Sequence, residues 1–361
     1  MRLPLVNADD QTSIDIEQFK QMADVFIERG FTYFDTAYPY HGGKSEEALR
    51  EAVVKRYPRE AFTVTSKMPI WAIEEESDLE RIFNEQLEKC GVDYFDYYWL
   101  HALNRERVQL LRNIDGWSFI ARKKAEGRIR HIGFSFHDDS ALLAEVLDEH
   151  PEVEYVQLQI NYLDWLSPAI ESKTCYDLCI KHGKPVIVME PVKGGSLARV
   201  PEAIDRLFKQ YNPNASAASW AIRFCASLPG VMTVLSGMSN MEQLLDNTSY
   251  MQDFQPLNDE EQAIITRATK MISDSIAVPC TACRYCTTNC PKQIAIPEYF
   301  SLYNTLRPFP ELKNNSKLYY ELLTKTHGKA SECIECGQCE AQCPQHINII
   351  DSLKAVVETF E

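Results

Sequence analysis

The apolar positions along the chain follow two alternating rhythms. Residues 13–29 carry apolar side chains at helical spacing and stop at Gly30, a residue suited to ending a helix. A strand-like run, FTYFD at 31–35, follows. The exchange then repeats. Helical patterning at 45–57 leads to FTVTSK (62–67), that at 77–90 to YFDYYWLH (94–101), and that at 115–126 to IRHIGFS (129–135). Further on, helical segments at 139–149, 169–182, 214–227 and 240–249 are interleaved with VEYVQLQIN (153–161), PVIVME (185–190) and VMTVLSG (231–237). The strand-like runs show little polar alternation, which suits strands buried on both faces. Strands alternating with helices predict a parallel sheet.

Seven strands are predicted, and the first element is a helix. A (β/α)₈ barrel needs eight strands, the first of them ahead of the first helix. The pattern therefore predicts such a barrel over residues 1–275 with its first strand missing from the chain. Either the start is clipped or another segment closes the gap. An open doubly wound sheet is the alternative. A helix at 258–274 ends the barrel region, and residues 276–361 form a smaller domain with helical patterning around 297–306 and 315–326.

Composition narrows the class. With 361 residues, 45% hydrophobic and 25% charged, the chain has ample material for a core and is not a disordered sequence. No apolar run approaches the roughly 20 residues that span a bilayer, and the opening MRLPLVNADD lacks an apolar signal segment. A net charge of −15 argues against a nucleic-acid partner, which would demand a basic stripe. The expectation is a cytoplasmic protein with neither membrane nor nucleic-acid association.

The cysteines change the picture, because eight of twelve lie after residue 279 in two matching sets. Cys280, Cys283, Cys286 and Cys290 precede Pro291, and Cys333, Cys336, Cys339 and Cys343 precede Pro344. C-x2-C-x2-C-x3-C-P, used twice, is the spacing of bacterial two-cluster ferredoxins. Three closely spaced thiolates wrap three corners of an Fe₄S₄ cube, and the fourth, held away by its proline, reaches the other cube. The expected ligand sets are Cys280, Cys283, Cys286 and Cys343 for one [4Fe-4S] cluster, and Cys333, Cys336, Cys339 and Cys290 for the second. Residues 276–361 are accordingly expected to be an α-rich, ferredoxin-like two-cluster domain. Structural zinc and a disulfide framework are the competing readings; zinc ribbons use paired knuckles, and disulfides fit badly in a chain without an export signal. Cys90, Cys175, Cys179 and Cys225 lack any such spacing and read as small apolar core residues.

In a barrel, chemistry sits at the C-terminal strand ends. Those ends supply Asp35 with the following loop to Tyr40, then Lys67, then His101. A tyrosine hydroxyl with a pKa near ~10 is a poor acid at neutrality. Lys67 is expected to lower that value, Asp35 to hold Lys67 charged and aimed, and His101 to polarise a carbonyl. Tyr33, Tyr38, Tyr97 and Tyr98 read as packing residues. His41, His131, His137 and His346 show no metal-ligand spacing.

The stretches FDTAYPYHGGKSEEAL, TSKMP, DYYWLHAL, GRIRHIGFSFHD, VQLQINYLD, VMEPVKGGSL and VLSGMSNMEQLLDN resemble the aldo/keto reductase superfamily. They resemble more closely its prokaryotic branch with a C-terminal 4Fe-4S dicluster domain, and the similarity runs over essentially the whole chain. The resemblance implies a (β/α)₈ barrel with NADPH extended across its mouth and a catalytic tetrad of Asp35, Tyr40, Lys67 and His101. It also implies that Ser135 and Gln157 bind the nicotinamide carboxamide and that Gly237 and Met238 run along the phosphates and ribose. Asp246 and Asn247 would approach the adenine. Met189 stands where many members place the aromatic that stacks on the nicotinamide, and Phe136 where many have Asn. Gly237 and Gln243 fall where basic residues usually clamp the 2′-phosphate, so NADP and NAD both stay open. MRLP corresponds to the exit of the family's first strand.

Hydride transfer moves two electrons, whereas each cluster accepts one, and no flavin site is visible to convert between them. The expected activity is NAD(P)H-dependent reduction of a small-molecule aldehyde or ketone, with Tyr40 as general acid. The clusters are then structural, sensing, or wired to a redox partner such as a flavoprotein or ferredoxin. The alternatives are an electron-transfer module whose barrel docks a redox partner, and an interaction scaffold with relic sites.

Overall fold

The computed structural model describes residues 2–168, 170–273, 277–278, 280, 282, 284–288, 290–343 and 346–361. Seven strands form one sheet in chain order: β1 (Tyr33–Asp35), β2 (Thr63–Met68), β3 (Phe95–Leu103), β4 (Ile129–Phe136), β5 (Tyr155–Gln159), β6 (Val186–Met189) and β7 (Val231–Val234). Every neighbouring pair is parallel. All seven predicted strands are present, but β1 and β7 are the sheet's edges and no eighth strand joins them among the described residues. The sheet is thus a seven-stranded half-barrel, not a closed eight-stranded one. Beyond the edges, the Arg2 side chain packs over Gly237 and the Leu3 N–H donates to His41 Nε2 at 3.1 Å. Leu5 makes a single antiparallel bridge to Ile14.

The helices are α1 (Ile16–Glu28), α2 (Ser45–Leu49, continued by a π-helical turn Arg50–Val54), α3 (Glu76–Cys90), α4 (Arg105–Asn113) and α5 (Gly116–Ala125). They continue with α6 (Ser140–Glu149), α7 (Ser172–Lys181), α8 (Glu202–Tyr211), α9 (Ala217–Ala226), α10 (Met241–Gln252) and α11 (Asp259–Ser273). Strand-to-helix junctions carry their own start signals. Asn104 caps α4 after β3, Asp139 caps α6 after β4 and Asn240 caps α10 after β7, each accepting a hydrogen bond from an amide of the first turn. The sequence pattern missed α4 and α8, which stand as extra helices where one helix per strand was expected.

Two compact units make up the chain. The first comprises residues 1–161, 173–191 and 221–256, and its centre is the inner face of the sheet, where Trp99, Tyr155 and Ile187 pack with Tyr33, Tyr97 and Leu235. Of the tyrosines read as packing residues, Tyr33 and Tyr97 join this cluster, and Tyr98 is fully buried with its hydroxyl donating to Gln86 Oε1 at 2.6 Å. Cys90, Cys175, Cys179 and Cys225 are buried as expected.

The second unit gathers residues 162–172, 192–220 and 257–361. Within it, Ser167 and Ser301 meet hydroxyl to hydroxyl at 3.1 Å, and Ser196 donates to Glu311 Oε1 at 2.6 Å. Its C-terminal helices are α12 (Tyr285–Thr288), α13 (Ile296–Thr305), α14 (Lys313–Leu323), α15 (Gln338–Ala341) and α16 (Ile349–Phe360). An internal repeat runs through this part. Adding 53 to the bounds of α12 gives α15, and α13 and α16 start 53 residues apart. The same offset relates left-handed residues: Ala282, Arg284 and Gln293 correspond to Glu335, Gly337 and His346. The described residues around the two cysteine sets therefore share this offset in their helices and left-handed turns.

Candidate active site

Four strand-end side chains meet in the first unit. Lys67, on β2, is fully buried, and its Nζ donates to Asp35 Oδ1 and to the Thr36 carbonyl, each at 2.7 Å. The ammonium also lies 4.9 Å from the centre of the Tyr40 ring. Tyr40 meets the His101 ring edge-on at 5.9 Å. Tyr40 reaches this point because the chain after β1 turns sharply through Gly42 and Gly43 (φ +63° and +85°), a conformation that costs glycine little.

His101 owes its place to a β-bulge. Leu100 pairs with Phe134 but Leu103 with Phe136, so β3 carries one extra residue. Ala102 absorbs it with φ 56°. Its N–H donates to Ser135 Oγ at 2.7 Å, and its carbonyl accepts from Arg107 Nη1 at 2.6 Å. Bulges of this kind re-aim side chains beside active sites.

The electrostatics depart from expectation at one point. Burial pushes the Tyr40 phenol above its ordinary value, and the opposing pull of Lys67 does not overcome it. The expected net lowering of Tyr40 is thus reversed by desolvation. Burial alone would push Lys67 down, but Asp35 and Tyr40 lift it above the usual lysine value. His101 is held well below the usual histidine value by burial and then by Lys67. A phenol, an ammonium and a neutral imidazole result, and His101 Nδ1 is buried without a hydrogen-bond partner.

The residues expected to face a dinucleotide lie along the neighbouring strand ends. Ser135 and Gln157 are in register on β4 and β5, both buried, and Met189 ends β6. Gly237 is exposed beneath the Arg2 side chain, and Met238 and Asp246 are half-buried. Asn247 is held within the protein: its amide donates to Ser236 Oγ at 2.7 Å and accepts from the Tyr250 hydroxyl at 2.8 Å. Gln243 accepts from the Ser239 amide at 2.7 Å, closing the turn into α10.

Of the eight cysteines in the two sets, Cys283 lies outside the described residues. Cys290, Cys333, Cys336 and Cys339 line one cavity, walled by Ile294, Ile296, Ile334, Ile350 and Leu353. These four and Cys343 are thiols in no disulfide. Among the described residues no three metal-ligating side chains converge as they would round a single ion. Four thiols round an apolar hollow suit a cube, whose corners stand apart, better than one zinc ion. Cys280, Cys286 and Cys343 pack in the same cluster of side chains as Cys290, Cys333 and Cys339, alongside Val278 and Tyr299.

Two residues of this region carry no signal in the sequence. Trp71 lies 5.0 Å from His101 ring to ring, and the Arg107 guanidinium lies over Trp71 at 4.8 Å. Both sit on segments that directly follow strands bearing Lys67 and His101, which is the one hint the chain offers.

Comparison with known proteins gives the chain's family. The aldo/keto reductase family matches residues 6–270, and the 4Fe-4S dicluster domain matches residues 279–348. An aldo-keto reductase of Mycolicibacterium vanbaalenii is 26% identical over 240 residues, covering 66% of this chain and 79% of that protein. The uncharacterized oxidoreductase YqkF of Bacillus subtilis is 24% identical over 275 residues, covering 65% and 83%. The structure of a Klebsiella pneumoniae aldo-keto reductase in complex with NADPH superimposes with a TM-score of 0.55 at 23% identity, covering 72% of this chain and 86% of that one. The chain belongs to the aldo/keto reductase family and carries a 4Fe-4S domain at its C-terminal end.

Proposed function

We propose that the protein reduces an aldehyde or ketone at the expense of NAD(P)H, with Tyr40 as the proton donor to the carbonyl oxygen. The observation that carries this reading is the fully buried Lys67, paired with Asp35 and set against Tyr40. A buried ammonium there stabilises negative charge on the phenol oxygen, a use that packing alone does not explain. Tyr40 gives its proton to the carbonyl oxygen. Lys67 offsets the phenolate left behind, and Asp35 keeps Lys67 charged. His101, neutral, donates an N–H to the same carbonyl oxygen.

Nicotinamide, when bound, supplies the hydride. Ser135 and Gln157 would hold its carboxamide, with Met189 beside the ring. Gly237 and Met238 would run along the phosphates, and Asp246 and Asn247 beside the adenine. The NADPH complex of the Klebsiella relative supports a nicotinamide dinucleotide here.

Residues 1–275 form the reductase in this reading and residues 276–361 hold two [4Fe-4S] clusters, on Cys280, Cys283, Cys286 and Cys343 and on Cys333, Cys336, Cys339 and Cys290. The thiol-lined cavity and the 53-residue repeat support that assignment. The clusters, when bound, supply one-electron chemistry, with a flavoprotein or ferredoxin as partner in the cytoplasm.

The test is Tyr40→Phe, assayed with short aldehydes and either nicotinamide. Reduction should fall by about 100-fold or more while nucleotide binding, followed by nicotinamide fluorescence, persists. Equal turnover in the variant would sink the assignment.

A further inference from the structure

We propose that the site selects carbonyl substrates bearing an anionic group, a carboxylate or a phosphate, and that Arg107 receives that group. The proposal rests on the reading of Tyr40 and His101 as the pair that binds the carbonyl.

The three arginines of α4 make the case by contrast. Arg105 pairs with Asp139 at 2.9 Å, and Arg112 pairs with Glu145 and Glu149 at 2.5 and 2.7 Å. Arg107, between them, forms no ion pair among the described residues, although it is half-buried in a chain of net charge −15. It faces the reaction centre instead. Its guanidinium lies over the Trp71 ring at 4.8 Å, and the His101 ring lies 5.0 Å from the same indole. The cation and the imidazole that binds the carbonyl in the reading above thus share one aromatic neighbour.

The side chain's own bonding leaves capacity for a ligand. A guanidinium has five N–H donors in a planar fork. Stacking on Trp71 occupies one face, and Nη1 donates to the Ala102 carbonyl. The remaining donors suit the planar, two-oxygen acceptor of a carboxylate or phosphate. Trp71 is 46% exposed, so the cation and its ring stand at an open edge of the site. The charge of Arg107 is also felt by its neighbours, since burial and then Arg107 push His137 down to about 4. An anion placed here would meet the positive charge of Arg107.

Arg107 also pins the bulge that aims His101, so the test must separate binding from positioning. The intact protein is assayed with 4-oxobutanoate against its methyl ester, and with glyceraldehyde 3-phosphate against glyceraldehyde. The charged member of at least one pair should win by tenfold or more in kcat/KM, chiefly through KM, and the winning pair identifies the head group. Arg107→Gln should shrink that preference at least tenfold by raising KM for the charged substrate. Arg107→Lys, which keeps a point charge, should retain part of it.

Equal use of charged and neutral substrates by the wild type overturns the proposal and leaves the reductase reading intact. A preference that survives in Arg107→Gln, with only kcat reduced, reduces Arg107 to a positioning residue and also overturns it. Should Arg107→Gln fail to fold, competitive inhibition of the wild type by succinate but not succinamide supports the carboxylate case, and equal inhibition refutes it. Failure to reduce any of the four compounds with either nicotinamide is a different result, because it removes the underlying reductase reading.

Discussion

Lys67 shows what burial does to a charge when the right partners surround it. Its ammonium has left water entirely, and it stays charged because Asp35 and the Thr36 carbonyl both stand at 2.7 Å. Asp35→Asn removes the anion and keeps the shape. It should cost about 3–5 kcal/mol in urea unfolding, since an uncompensated charge remains buried. It should also move the alkaline limb of the pH–kcat profile to lower pH, because Asp35 is a main reason that Lys67 titrates high. A second expectation concerns acid. His101 and His137 are both depressed by burial, His137 to about 4. Between the unfolded histidine value near ~6.5 and about 4, the unfolded chain binds protons that the folded chain refuses. Stability is therefore complete above that window and falls as pH drops through it. Urea midpoints at pH 7 and pH 5 measure this, and His137→Asn should flatten the difference. At this scale the candidate site was legible, because three strand ends and the loop after the first carry four chemically coherent residues. Trp71 and Arg107 were not legible, because an aromatic and a cation in a loop have many ordinary uses.

Among the elements, two close backbone approaches decide geometry. Gly133 lies on β4 where a Cβ would come within 2.4 Å of the Tyr155 ring and 2.6 Å of its carbonyl oxygen. Gly133→Ala must push β4 and β5 apart just below Ser135 and Gln157, at about 1–3 kcal/mol. Chemical denaturation should show that loss. Gly328 plays the matching part in the second unit: a Cβ there would sit 2.1 Å from the Lys292 carbonyl, next to the Cys290 loop. Gly328 also meets Ile294 in a parallel bridge and its carbonyl accepts from the Tyr299 hydroxyl at 2.8 Å. Gly328→Ala should displace Cys290 and lower the iron bound per chain after reconstitution. Undiminished iron would show that the loop tolerates the shift. The strands were readable as apolar runs, since burial on both faces leaves a local signature. The bulge at Ala102 was not, because one extra residue in β3 shows only against the register of β4.

The whole molecule is divided by packing and not by a single cut in the chain. Residues 162–172 and 192–220, which directly follow β5 and β6, belong to the same unit as α11 to α16. Removing iron with a chelator under oxidant should therefore raise hydrogen exchange in α12, α13, α15 and α16, whose side chains pack around the cysteines. Unchanged exchange there would mean that side-chain packing alone holds these helices. No helix among the described residues is long and apolar enough to cross a membrane. By itself the sequence determined the seven strands, their alternation with helices, the duplicated cysteine spacing and the four strand-end residues. Each of these is a local pattern, written in neighbours a few residues apart. Only the tertiary structure decided that β1 and β7 do not pair with each other, that burial outweighs Lys67 at Tyr40, and that Arg107 lies against Trp71, beside His101, instead of a carboxylate. Those outcomes depend on desolvation and on contacts between distant segments, and neither exists until the chain has folded.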